Sequence, residues 1–137
     1  MDAFVQPLYE LADFDAIIRQ LKKPGIVQVS GCLDSQKAHF TNGLLREFPF
    51  RLIVAENDLK AKAFYEDFRL YDPEVLYYPA RDLIFYQADI HGNLLTRQRI
   101  QVLRALLERE EVTIVTSIDS CLDCLVPLAV WKEKVIK

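Results

Sequence analysis

The sequence predicts an α/β fold: a three-layer arrangement in which helices cover both faces of a parallel sheet. Three observations predict it. Short apolar runs rich in Val, Ile and Tyr alternate with longer stretches of helical period, the pattern of βαβ units. Proline and glycine fall between these runs rather than inside them. Finally, Gly31 to Ala38 sits at a strand-to-helix turn with a lysine at the spacing of a phosphate-binding loop.

The elements follow in order. Leu8, Leu11, Phe14, Ile17, Ile18 and Leu21 recur at helical spacing, so a helix or two leads into the sheet. Lys22 and Lys23 suit a helix C-terminus, and Pro24-Gly25 ends the segment. Strand one is expected at Ile26 to Ser30, then a helix from about Ser35 to Phe48, stopped by Pro49. Strand two is Arg51 to Ala55. Asn57 or Asp58 caps the next helix, with Leu59, Ala63, Phe64, Phe68 and Leu70 on its apolar side. Asp72-Pro73 ends that helix, and Val75 to Tyr78 is strand three. Pro79 to Asn93 has no clear period and reads as a long connection. A helix is expected from about Leu94 to Glu110, with Ile100, Leu103, Leu106 and Leu107 turned inward. Strand four, Val112 to Thr116, leads to a short helix, Ile118 to Leu125, stopped by Pro127. Ala129 to Lys137 opens an alternating, strand-like segment, so the chain is expected to be part of a longer protein. The expected division is a helical lead-in over 1–25, a main domain over 26–126 and the start of a further domain over 127–137.

The loop after strand one carries the most chemical information. A working phosphate-binding loop reads G-x-x-x-x-G-K-[ST] between a buried strand and a helix. Gly31 and Lys37 fit that spacing, but Gln36 stands at the second glycine and Ala38 at the hydroxyl residue. Such a loop binds by aiming consecutive N–H groups and a helix N-terminus at the phosphates. A glutamine side chain restricts the close backbone approach that glycine allows. Alanine has no oxygen for the Mg²⁺ that bridges the phosphates. The expected fold is therefore a P-loop NTPase or helicase-like sheet with a degenerate nucleotide site. Gly31, Gln36, Lys37 and Ala38 are its remnant, with no catalytic residue, cofactor or metal expected.

Composition narrows the function classes. With 51% hydrophobic residues and 27% charged ones, 137 residues suffice for one domain with a true core. A net charge of −3 provides no basic field for nucleic acid. No apolar run approaches the ~18 residues that span a bilayer. Met1-Asp2-Ala3-Phe4 lacks the basic start and apolar core of a secretory leader, so a cytoplasmic location without membrane contact is expected. Three cysteines do not make a disulfide framework. Cys121 and Cys124 form a C-x-x-C without a second pair, and Cys32, His39 and His91 are scattered, so small apolar helix residues are the expected role. Arg97, Arg99 and Arg104 are balanced by Glu108, Glu110 and Glu111 and read as a solvated helix face. Tyr77, Tyr78, Phe85 and Tyr86 with Arg81 offer base-stacking chemistry only if exposed; covering the sheet edge is the expected role. Asp82, Asp89 and His91 lack a fourth ligand for a metal. No adjacent Asp-Glu pair follows strand four, which runs through Thr116-Ser117 to Asp119.

These pieces in this order resemble the transcription-repair coupling factor (Mfd) family, whose amino-terminal region is UvrB-like. The resemblance rests on the altered loop after strand one, Tyr78-Pro79-Ala80-Arg81-Asp82 after strand three, and Gln98-Arg99-Ile100 with Leu103 and Leu106-Leu107 in the long helix. Val112 to Leu125, followed by a proline, extends it over roughly residues 10–130. It implies a noncatalytic module of a DNA-repair protein whose separate motor uses ATP and Mg²⁺, translocates on DNA and displaces stalled RNA polymerase. It implies recruitment of UvrA, mainly through the domain that follows, and an intramolecular contact with the carboxy-terminal region. The tyrosine-rich damage-probing hairpin of UvrB has no room in Pro79 to Asn93. A stand-alone nucleotide-binding enzyme with an atypical loop is the alternative.

Overall fold

The computed structural model describes residues 4–80, 89–123, 125, 127 and 130, with the backbone alone for 89–93. A 3₁₀ turn over Gln6–Glu10 precedes helices α1 (Phe14–Leu21) and α2 (Asp34–Leu45). Strand β1 (Phe50–Ala55), helix α3 (Asp58–Phe68), strand β2 (Leu76–Tyr78), helix α4 (Asp89–Glu108), strand β3 (Val112–Ser117) and the short helix α5 (Ile118–Cys121) follow. The protein is thus mixed α/β, with a three-stranded parallel sheet and five α-helices among the described residues.

The strand order is β1-β3-β2. Phe50 pairs with Val112 and Ala55 with Ser117 on one side of β3; Leu76 pairs with Ile114 and Tyr78 with Thr116 on the other. All six residues of β3 are buried, as its unbroken β-branched run Val112 to Thr116 requires of a central parallel strand. Its side chains alternate between two cores. Val115 meets Ala38 of α2, Ala61 and Phe68 of α3, and Val75. Val112 and Ile114 meet Val102 and Ala105 of α4 and Tyr78. Helices α2 and α3 therefore share one face and α4 takes the other, giving the three layers.

Local signals explain the helix starts. The Asn57 side chain accepts from the Lys60 amide at 2.9 Å, and Ser117 caps α5 by accepting from the Ser120 amide at 3.3 Å. The lead-in folds against α2: Val5, Leu8, Phe14, Ile18 and Leu44 form a separate cluster. Gly43 is required there, because a Cβ would stand 2.4 Å from Leu8 Cδ1 and 3.0 Å from Phe14 Cζ.

Several expectations are corrected. Ile26 to Ser30 is not a strand; it runs unpaired between the positive-φ residues Gly25 and Gly31, and Ile26 is 99% exposed. Apolar content alone does not make a strand; backbone pairing does, and Ile26 to Ser30 has none with the described strands. The lead-in is helical as expected, in two pieces: a 3₁₀ turn and a helix beginning at Phe14, separated at Leu11. Helix α2 ends at Leu45 rather than Phe48, α4 begins at Asp89 rather than Leu94, and α5 stops at Cys121 rather than Leu125. On α4, Ile100 and Leu106 are exposed, while Arg99, Val102 and Ala105 face inward. The strand-like reading of Ala129 to Lys137 lies outside the described residues, apart from Val130.

Phe68 fills the junction between α3 and β3 with no exposed surface. Replacing it by alanine is expected to cost about 3–5 kcal/mol in urea unfolding. A cost under 1 kcal/mol would contradict this placement of the core.

Candidate functional site at the strand C-termini

Ligands of open parallel sheets bind beyond the C-terminal ends of the strands, where helices begin. Here α3 begins three residues after β1, and Asp34 at the start of α2 lies close enough to Lys60 of α3 for each charge to stabilise the other. The Gly31 to Ala38 loop therefore stands at this end of the sheet.

Its geometry is self-satisfied. Gly31 adopts φ +89°, a conformation only glycine takes without strain. Leu33, extended at φ −70° and ψ 153°, caps α2, and its carbonyl accepts from the amides of Gln36 at 2.9 Å and Lys37 at 3.2 Å. Gln36 turns back, its Oε1 accepting from the Leu33 amide at 3.3 Å. The side chain that replaces glycine thus occupies a donor at the helix start. Lys37 Nζ donates to Asp34 Oδ1 at 2.6 Å. That hydrogen bond, followed by the lysine charge, holds the Asp34 carboxyl below its ordinary range. Ala38 is buried against Ala61 and Val115, so its methyl is a core contact. Gln36 and Lys37 thus spend their polar groups within this turn, while Ala38 packs into the core.

A second polar cluster ties the strand ends to one another. Asp58 Oδ1 accepts from the Ala80 amide at 3.2 Å and Ser117 Oγ at 3.4 Å, and the Ser117 and Ser120 hydroxyls are 2.9 Å apart. Thr116 Oγ1 donates to the Tyr78 carbonyl at 2.9 Å. Arg99, only 6% exposed, donates from one nitrogen to the Pro79 carbonyl and to Asp123 Oδ2, both at 2.8 Å. Its guanidinium lies 4.2 Å from the centre of the Tyr78 ring. The expected solvated face is corrected at this position, whereas Arg97 is exposed and Arg104 pairs with exposed Glu108. Arg99 stands three residues before Val102, on the inward side of α4; that spacing was the available signal.

The remaining candidates do not converge. Cys32 is half-buried and Cys121 exposed, both free. His39 donates to the Phe4 carbonyl and stacks on Tyr71. Cys124, Arg81, Asp82, Phe85 and Tyr86, and the side chains of Asp89 and His91, lie outside the described residues. Among the described residues, no three His, Cys, Asp or Glu side chains gather as a metal site. Tyr77 and Tyr78 are half-buried and buried, Tyr77 against Tyr65, as expected of residues that cover the sheet.

At the opposite end of the strands a cavity of about 400 Å³ is lined by Asn42, Arg51, Asp72, Glu111 and Thr113, among others. Arg51 is committed there to the Phe48 carbonyl at 2.6 Å, Thr113 at 3.2 Å and Asp72 at 3.6 Å. Sequence reasoning missed this cluster; an arginine opening a strand was its only trace.

The site defines a parallel α/β layer whose strand ends are closed by internal hydrogen bonds. Comparison with protein-family models, curated proteins and solved structures returned no match. Among the described residues, no helix is long and apolar enough to cross a membrane.

Burial, followed by the neighbouring Asp58, pushes the Tyr77 phenol well above its usual value of 10.0. A raised folded value means that stability is fully present below pH 10 and is lost as the pH climbs past it. Tyr77→Phe is expected to flatten the alkaline fall of the Tm above pH 10. Identical alkaline profiles for the two proteins would contradict the assignment.

Proposed function

We propose that this chain is a noncatalytic amino-terminal module of a transcription-repair coupling factor. In that reading the parent protein has a separate motor that uses ATP and Mg²⁺ to translocate on DNA. It displaces stalled RNA polymerase and recruits UvrA, and this module keeps the glycine turn, helix start and lysine of a phosphate-binding loop without its chemistry. The observation that carries the reading is the pairing of Lys37 with Asp34 at a helix start whose Leu33 amide is held by Gln36. A phosphate group arriving there would have to displace a carboxylate already bound to the lysine. Ala38 offers it no metal-binding oxygen. The sequence resemblance supplies the family, and the parallel sheet is compatible with it.

Titration of labelled ATP, with and without Mg²⁺, is expected to show no saturable binding at micromolar protein, and Lys37→Ala is expected to change nothing. Mg²⁺-dependent micromolar binding abolished by Lys37→Ala would replace this reading with that of a nucleotide-binding enzyme. For the partner, residues 1–137 are expected to bind UvrA far more weakly than a chain continued through the following domain. Equal affinity would place the contact surface within these residues.

A further inference from the structure

The cavity at the N-terminal ends of the strands holds polar groups that the fold leaves unspent. It lies between α2, the starts of β1 and β3, and the turn after α3. Its volume of about 400 Å³ falls within the roughly 300–1,000 Å³ of small-molecule sites. Asn42 of α2 lines it and is only 7% exposed, yet its carboxamide makes no hydrogen bond to any described residue. The amide opens onto the cavity instead of being sealed in protein. Folded proteins satisfy buried amides, because one left without a partner is costly. The Tyr71 phenol also lines the cavity without a hydrogen bond among the described residues, its ring fixed by a stack on His39 and a contact with Phe4. One water takes about 30 Å³ of liquid volume, so the cavity exceeds what these two groups need for solvation alone.

The charges stand nearer the mouth. Arg46, one turn beyond Asn42 on α2, is exposed, and the Glu111 side chain is 75% exposed. Arg51 lies deeper, 3.6 Å from Asp72 and 3.5 Å from Glu111, and Glu74 pairs with Arg109 at 3.0 Å. Three guanidiniums, those of Arg46, Arg51 and Arg109, thus stand against three carboxylates, those of Asp72, Glu74 and Glu111. Such a balance attracts neither a simple anion nor a simple cation, but it offers each sign to a molecule that carries both.

We propose that this cavity binds a free α-amino acid with an uncharged polar side chain, a role independent of the family reading above. The side chain enters first and exchanges hydrogen bonds with the Asn42 carboxamide and the Tyr71 phenol. The α-carboxylate then lies at the mouth toward Arg46, and the α-ammonium toward Glu111. Binding is reversible and makes no covalent bond. The Asn42 amide gains its partners only on binding, so its presence gives up some stability of the free protein for the ligand.

Titration of the isotope-labelled chain with L-glutamine, followed by amide NMR, tests the proposal. Saturable shifts are expected at the amides of Asn42, Tyr71 and Thr113, with a Kd of about 1 mM or tighter. N-acetyl-L-glutamine lacks the ammonium and L-glutamine methyl ester lacks the carboxylate; each is expected to bind at least about 10-fold more weakly. Asn42→Leu keeps the branched shape without the amide. It is expected to lose about 10-fold or more in affinity while its Tm stays equal or rises, because an unspent buried polar group is removed. Glu111→Gln, at the exposed mouth, is expected to weaken L-glutamine by about three- to tenfold and to leave N-acetyl-L-glutamine unchanged. No saturable shift up to about 20 mM L-glutamine, or equal shifts with glycerol, overturns the proposal. So does a Tm for Asn42→Leu several degrees below that of the parent, which would make the amide a structural group.

Discussion

A parallel strand with neighbours on both edges and helices on both faces has no contact with water, so it must bring its own apolar surface to each side. Strand β3 does this with Val112, Ile114 and Val115, and its hydroxyl residues are spent inside the fold. Thr113 donates to Asp72 at 2.7 Å, Thr116 to the Tyr78 carbonyl, and Ser117 to Asp58. Each of these bonds joins β3 to a segment that is distant in sequence. The strand is both the packing centre and the point where both polar ends of the sheet are tied.

That constraint shapes the site. At the C-terminal ends of the strands Asp58, Ser117, Ser120, Arg99 and Asp123 bind one another or the backbone. The loop over α2 follows the same rule, with the Gln36 amide oxygen and the Asp34 carboxylate taking the Leu33 N–H and the Lys37 ammonium as donors. An arginine as deeply buried as Arg99 is tolerable only with such partners: a carboxylate, a carbonyl and an aromatic face.

Much of this was legible in the sequence. The run Val112 to Thr116 reads as a buried strand, and Asn57, one of two candidate caps with Asp58, proves to be the cap of α3; the cap at Ser117 was not anticipated. The departures of Gln36 and Ala38 from a phosphate-loop pattern are legible in the sequence, whereas the Gln36–Leu33 hydrogen bond and the core packing of Ala38 are not. Three features were not. Ile26 to Ser30 has the composition of a strand, but composition does not say whether a partner edge is within reach. Ile100 and Leu106 have the hydrophobicity of core residues, yet α4 is rotated so that Val102 and Ala105 fit the tight approach to β3. Arg99 reads as surface because its charge hides the long apolar stem and planar head that allow stacking on Tyr78.

The sheet is built on β3 and stops at β1, and the segment Ile26 to Ser30 lies outside it. Amide hydrogen exchange read by NMR at low micromolar concentration tests this most directly. The amides of Thr113 and Val115 are expected to be among the slowest in the chain, opening only with global unfolding. Those of Ile26 to Ser30 are expected to exchange at nearly unprotected rates. Protection of Ile26 to Ser30 equal to that of β3 would overturn this architecture, because it would mean a fourth strand and a loop seated as in a working nucleotide site.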